Sequence, residues 1–185
     1  MPFTETGFPG LLIFEPKAFE DSRGYFFESY NEKIFRQAGM EISFVQDNQS
    51  SSQYGVVRGL HYQLHPHAQT KLVRVLAGSI LDVVVDIRKG SPAYGKVFSL
   101  ELSGANRKQL FIPKGFAHGF SVLSSKAEVL YKCDAFYNRE SEAGIIYNDA
   151  ELNINWKIPA AEAIISEKDK LLPAFAQCNN NFVFQ

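Results

Sequence analysis

The sequence predicts a mainly β domain of sandwich or jelly-roll barrel type, and three observations carry that prediction. Sixteen Phe and eight Tyr stand against one Trp and two Met, alongside many Val and Ile, the residues that suit a pleated, half-buried surface. From Phe44 to about Tyr137 short apolar runs recur with almost no helical period. The breaks between them, "LAGSI", "RKGSPAYG" and "SGANRK", supply the Gly, Pro, Ser and Asn that hairpins need.

Taken in order, "GLLIFEPKAF" and "RGYFFESY" read as two strands joined by a turn at "EDSR". "NEKIFRQAG" then changes period: Asn31 can cap a helix, Ile34, Phe35 and Ala38 share a face, and Gly39 can end it. The runs "SFVQDNQ", "VVRGLHYQ", "TKLVRVL", "SILDVVVDIR", "GKVFSLEL", "KQLFIP", "GFSVLS" and "AEVLYKCDAFY" follow as strands of a barrel core over about 44–137. After Trp156 a C-terminal helical segment is expected over about 160–175, with a short helix beginning at Ser166 and stopped by Pro173. No internal repeat or linker divides the chain, so residues 1–185 read as one domain.

Composition excludes several classes of function. Nineteen basic against twenty acidic residues leave a formal charge of −1 without a Lys/Arg block, so nucleic acid is not an expected partner. No apolar run is long enough to cross a bilayer, and "MPFTETGFPG" lacks the charged-then-apolar layout of a signal peptide. Cys133 and Cys178 are the only cysteines and form no CxxC spacing. The expectation is a cytoplasmic protein without disulfides.

Three of the four histidines, His61, His65 and His67, fall in "VVRGLHYQLHPHAQTKLVRV", and the fourth, His118, lies in "PKGFAHGF". Gly55 followed by His61, together with Pro113-x-Gly115-x-x-His118, resembles the paired motifs of the cupin superfamily. A cupin metal needs a second His two residues after the first, on the same side of the strand, and here that residue is Gln63. The expected carboxylate is missing, and Lys71 places a positive charge where a cation would sit. His65 and His67 flank Pro66 and read as a solvated turn. Neither a metal nor another cofactor is expected.

Without a metal, the same residues suit proton transfer. An inward imidazole at His61 can remove a proton near neutral pH. Lys71 can stabilise the oxyanion that forms when a proton leaves beside a carbonyl, and Tyr131 can return a proton. A base, a clamp and an acid are the parts of an enolising epimerase.

The motifs "DSRGYFFESY", "FVQDNQSSS", "GVVRGLHYQ", "QTKLVRVLAGSILDVVVDIRKGSPAYGKV", "LFIPKGFAHGFSVLS", "AEVLYKC" and "YNDAELNINW" run in order through nearly the whole chain. Together they resemble the dTDP-4-dehydrorhamnose 3,5-epimerase family. The resemblance implies a cupin-type jelly roll, a homodimer with N-terminal strand exchange, and no cofactor. It further implies inversion of dTDP-4-dehydro-6-deoxy-D-glucose at C3 and C5 to give dTDP-4-dehydro-L-rhamnose. Matched motif by motif, it makes His61 the base, Asp169 its partner, Lys71 the enolate stabiliser and Tyr131 the acid on the opposite face of the sugar. Arg23, Glu28, Gln46, Asn48 and Arg58 match nucleotide-contacting positions, while His118, Glu142 and Lys168 match further substrate contacts.

Elementary chemistry agrees in part. A diphosphate wants guanidinium forks, which Arg23 and Arg58 can supply, and Gln46 and Asn48 fall on one face of a strand. Plain structural roles stand beside these. Asp169 follows Ser166 in a helix-start pattern and can merely cap, Tyr131 can be an ordinary barrel residue, and Arg23 with Glu28 can be a solvated pair. Asp134-Ala135 and Tyr147 depart from residues frequent in the family, at the rim of the nucleotide pocket. The nearest alternatives are a single-centre epimerase or a 3,4-ketoisomerase acting on the same dTDP-sugar. A metal-dependent oxygenase is disfavoured by Gln63, and a non-catalytic binding module has no need of His61, Lys71 and Tyr131 together.

Overall fold

The computed structural model describes residues 2–185. Two six-stranded sheets face each other, as the jelly-roll expectation requires. The first sheet contains β1 (Phe3–Glu5), β2 (Leu12–Phe14), β10 (Gln109–Ile112), β7 (Lys71–Ala77), β12 (Lys126–Cys133) and β5 (Gln46–Gln53), in that spatial order. The second contains β13 (Glu142–Gly144), β6 (Val56–Gln63), β11 (Phe116–Val122), β8 (Ser79–Asp86) and β9 (Val97–Ser103), with β14 (Ile164–Ile165) running parallel to β6. A separate hairpin pairs β3 (Phe19–Asp21) with β4 (Gly24–Phe26).

The core has three parts, and each explains a pattern in the sequence. Val73, Val75, Ile80, Val84, Phe116, Phe120, Ala127 and Val129 pack together as the core between the sheets. Val57, Leu60, Tyr62, Leu81, Val83 and Val85 form a second cluster with Ile145, Leu152, Trp156 and Phe175 of the C-terminal segment. Strand β8 is therefore covered on both faces, which is why "ILDVVVD" is almost continuously apolar rather than alternating. The third cluster joins Phe14, Phe35, Leu72 and Phe111. Helix α1 (Glu32–Gln37) contributes Phe35 to it, starts on Asn31, whose side chain accepts from the Lys33 N–H, and ends before Gly39 at φ +84°.

Two segments differ from the expectation. "GLLIFEPKAF" is not one strand: Leu12–Phe14 joins the first sheet, whereas Phe19–Asp21 turns back on Gly24–Phe26. Pro16, which has no N–H to give to a ladder, separates the two. Within 160–175 the α-helical part, α2, covers only Glu167–Lys170, and β14 lies ahead of it between short 3-10 turns. Buried Asp149 anchors this segment by accepting the N–H groups of Glu151, Leu152 and Phe175. Trp156 donates its indole N–H to the Tyr147 carbonyl, and its own carbonyl accepts from Ser121 Oγ. These bonds account for "YNDAELNINW": its polar residues tie down a chain with little regular structure of its own.

Candidate active site

Strand alternation aims most of the site residues inward. On β7, Lys71 shares a face with Val73 and Val75, and on β12, Tyr131 shares one with Ala127 and Val129. On β11, His118 lies between the inward Phe116 and Phe120. Gln46 and Asn48 on β5 fall on one half-buried face, as expected, and the Gln46 amide donates to Asn48 Oδ1 at 3.0 Å.

Strand β6 breaks the alternation, and the break makes the site. His118 pairs with His61 and Phe120 with Arg58, so three steps along β6 match two along β11. The extra residue is a β-bulge. Without it Arg58 and His61, of opposite parity, would point to opposite faces; with it both line the same cavity. Gly59 permits the bulge. Its φ is +111°, and a Cβ there would lie 2.7 Å from both Gly119 Cα and the His118 carbonyl oxygen. The Gly59 N–H is thereby free to donate to Asp169 Oδ2 at 3.2 Å.

Asp169 thus has two roles at once. Ser166 Oγ caps α2 by accepting the Asp169 N–H, which settles the Ser-x-x-acid pattern as a helix start. The Asp169 carboxylate meanwhile lies 2.7 Å from His61 Nε2. Burial pushes this carboxyl up, but the His61 ring, the Gly59 N–H and Ser166 outweigh it, and the net shift is below the ordinary value. With Nε2 engaged, Nδ1 is the His61 nitrogen left for a ligand.

Two connected compartments of about 530 and 370 Å3 share Asn48, His61, Lys71 and Tyr131. His61 belongs to the second sheet and Tyr131 to the first, so the two stand on opposite walls. The Lys71 ammonium sits 5.8 Å from the centre of the Tyr131 ring. Burial holds Lys71 below the ordinary lysine value, opposed by Cys133, Asp82 and Glu142. Burial also raises the Tyr131 phenol, as does Cys133, while Arg58 opposes, so it keeps its proton at neutral pH.

The larger compartment also receives Arg58, His118 and Lys168, and the smaller one Gln46 and Glu142. Arg58 directs Nε and a terminal nitrogen at Ser52 Oγ, 3.2 and 3.1 Å away. Glu142 and Lys168 prove to be a pair, 2.7 Å apart at the mouth, and that bond is what chiefly raises the Lys168 ammonium. Glu142 also accepts from the Tyr137 hydroxyl at 2.8 Å.

Arg23 and Glu28 are not brought to this cavity. Arg23 lies in the β3–β4 turn, 88% exposed and bonded to Asp21, and Glu28 accepts from Asn31 outside both compartments. Tyr137 and Gln69, which also line the smaller compartment, carried no sequence signal beyond lying in polar loops. Asp134 accepts the Thr70 N–H and pairs with Lys114, and Tyr147 packs into the core beside Trp156, so neither lines the two compartments and each has a structural contact of its own.

Gln63 gives its amide to the carbonyls of His67 and Phe136 and accepts the Asn138 N–H, holding the loop beside the cavity. Among the described residues no group of three His, Cys, Asp or Glu side chains converges. His65 stays in an exposed loop with His67, though its ring packs 4.8 Å from that of Phe182.

Known proteins share this architecture. Residues 5–177 match the family model described as dTDP-4-dehydrorhamnose 3,5-epimerase. The chain is 52% identical to the dTDP-4-dehydrorhamnose 3,5-epimerase of Shigella flexneri over 170 residues, 91% of this chain and 93% of the relative. The crystal structure of the enzyme of that name from Elizabethkingia anophelis superposes with a TM-score of 0.90 at 52% identity, covering 94% of this chain and 96% of the other. A 3,5-epimerase from Legionella pneumophila, solved in complex with dTDP-4-keto-L-rhamnose, gives 0.90 at 46% identity over 95% and 93%. With a matching sequence along almost its full length, a matching jelly roll and an imidazole, ammonium and phenol around one cavity, this chain belongs to the dTDP-4-dehydrorhamnose 3,5-epimerase family.

Proposed function

We propose that this protein inverts C3 and C5 of dTDP-4-dehydro-6-deoxy-D-glucose, giving dTDP-4-dehydro-L-rhamnose. The observation that carries the reading is the placement of His61 and Tyr131 on facing sheets of one cavity, with Lys71 beside Tyr131. Inversion needs a proton to leave one face of a carbon and another to arrive on the opposite face. His61 Nδ1 takes the proton from the carbon beside the C4 ketone, and the bonding pair moves to the C4 oxygen as an enolate. Lys71 meets the developing charge. Asp169 holds the imidazole through Nε2 and so fixes its orientation. As the enolate collapses, Tyr131 gives its proton to the carbon from the other wall and regains one from solvent. His61 gives the proton it took to solvent, which restores the neutral base, and the sequence repeats at the second carbon.

For binding, Arg58 suits the diphosphate, with Gln46, Asn48, His118, Glu142 and Lys168 around the remaining ligand. Arg23 and Glu28 act on the site of a partner protomer, through a homodimer with N-terminal strand exchange. What supports this is that both lie outside the cavity of their own chain, on a hairpin whose Phe19, Tyr25 and Phe26 are 57%, 57% and 69% exposed. We assign the protein to the cytoplasm, where a reducing environment suits free Cys133 and Cys178. Neither metal nor organic cofactor enters the mechanism.

The test of the reaction is NMR of product configuration together with deuterium incorporation at C3 and C5 in heavy water. Exchange and inversion at both centres are expected, unchanged by exhaustive chelation; inversion at one centre, or none, defeats the reading. Strand exchange is tested by mixing Arg23→Ala with His61→Ala subunits. Each is impaired alone, and the mixed dimer regains activity only if Arg23 serves the partner's site.

A further inference from the structure

Of the buried acids that the mechanism leaves unused, Asp86 pairs with Arg88 and Asp149 holds backbone N–H groups, whereas Asp82 bears on the cavity. Asp82 lies in the middle of β8 between Ile80 and Val84, which face the inter-sheet core, and it is 0% exposed. Its Oδ2 lies 2.9 Å from His118 Nε2, and His118 lines the cavity. Its Oδ1 has no hydrogen-bond partner among the described residues. A buried carboxylate with one oxygen unmet is costly, and an apolar residue between Ile80 and Val84 would avoid that cost. Packing therefore does not account for an acid at this position.

The facing wall carries the matching charge. Lys71 has no ion-pair partner among the described residues, since Asp82 is engaged with His118 and Glu142 with Lys168. The groups bearing on its ammonium are Cys133, Asp82 and Glu142, with the Tyr131 ring alongside, and they oppose the effect of burial. Burial raises the Cys133 thiol, so it is uncharged at neutral pH. Glu142 shares its charge with Lys168 and Tyr137 at the mouth. Asp82, on the sheet that faces Lys71, is left as the interior carboxyl with an oxygen unmet.

We propose that Asp82 is a positioning residue for the oxyanion end of the site, holding His118 as the Nε2–H tautomer and supplying the buried negative charge that keeps Lys71 protonated. The His118 Nδ1 is thereby left for the ligand, and the enolate meets a cationic ammonium inside the protein. This inference rests on the epimerase reading.

The experiment is the pH–rate profile of Asp82→Asn, which keeps the shape and removes the charge. Removing a negative neighbour makes Lys71 lose its proton at lower pH. The alkaline limb of kcat should therefore move down by about one pH unit or more, and kcat at neutral pH should fall by roughly 10- to 100-fold. Affinity for dTDP should stay near wild type. In a Lys71→Arg background, whose cation does not titrate in this range, the same change should leave the limb in place. A uniform fall in kcat at every pH, or an unmoved limb in the wild-type background, overturns the proposal. If Asp82→Asn does not fold, nitrogen-15 NMR of the wild-type imidazoles decides: His118 as the Nδ1–H tautomer overturns it, and as the Nε2–H tautomer supports it. Absence of turnover by wild type would instead count against the epimerase reading itself.

Discussion

The cavity between the sheets and the β3–β4 hairpin reverse one another's pattern. In the cavity, polar groups are held inside an apolar shell, and most have a partner: His61 with Asp169, His118 with Asp82, Glu142 with Lys168. In the hairpin, large apolar groups face outward and the charged pair Arg23–Asp21 is the exposed neighbour. A two-stranded ribbon is marginal alone, and this one is tied to its own chain by Arg107, which pairs with Glu20 at 2.7 Å and lies 4.3 Å from the centre of the Tyr25 ring, while the three aromatics stay largely exposed. In this chain the imidazole, ammonium and phenol meet around one cavity, whereas the hairpin turns its aromatics away from it.

The sharpest way to break that contrast is at the base. His61→Ala should abolish both deuterium wash-in and epimerisation, by on the order of 10²–10⁴-fold. Tyr131→Phe should keep wash-in while epimer fails to accumulate, because His61 can return a solvent-derived proton to the face it came from. Mass spectrometry of recovered substrate and NMR of product separate the two. Equal behaviour of both variants would mean the opposite walls do not hold opposite roles.

A smaller effect is expected where the backbone sets the site. Gly59→Ala places a Cβ 2.7 Å from backbone of β11, so the bulge must shift and Arg58 with His61 shift with it. We expect a loss of about 1–3 kcal/mol in stability by chemical denaturation, with kcat falling more than dTDP affinity. Arg58→Lys keeps the charge and loses the fork, weakening dTDP binding by about 1–3 kcal/mol in calorimetry; unchanged affinity would show that Arg58 does not hold the phosphates.

Smaller still is a pH effect at Asp169. Its folded-state value lies below the ordinary carboxylate value of 3.8, so the unfolded chain takes up the proton first. The stabilisation is complete above that ordinary range and is lost as pH falls through the depressed value. Asp169→Asn should therefore flatten the acid arm of the stability curve while the neutral and alkaline arms stay parallel to wild type. At the hairpin, Arg23→Ala should leave the melting temperature of the protein unchanged, because the pair it breaks is exposed. A large shift would show that the hairpin supports its own chain.

The strands β6 to β12 were legible because turn chemistry and period-two patterning are local, and "VVRGLHYQ" coincides with Val56–Gln63. Helix α1 was legible for the same reason, down to its Asn31 cap. The site was legible as a set of residue types, with the inward face of Gln46 and Asn48 following from parity alone. Roles beyond that came from resemblance to a family, not from spacing.

Tertiary structure decided the rest. Whether His61 faced the cavity depended on an extra residue in β6 that only the pairing with β11 reveals. Asp169 met His61 across 108 residues of chain, and Asp82 met His118 across 36. Glu142 and Lys168, unremarkable in sequence, became a pair only when β13 and α2 were packed beside β6. Propensity, parity and capping act over a few residues, so the sequence by itself determined the elements and the chemistry available to them. Bulges, ion pairs and shared cavities arise between distant strands, and which groups meet is settled only when the two sheets close over a common core.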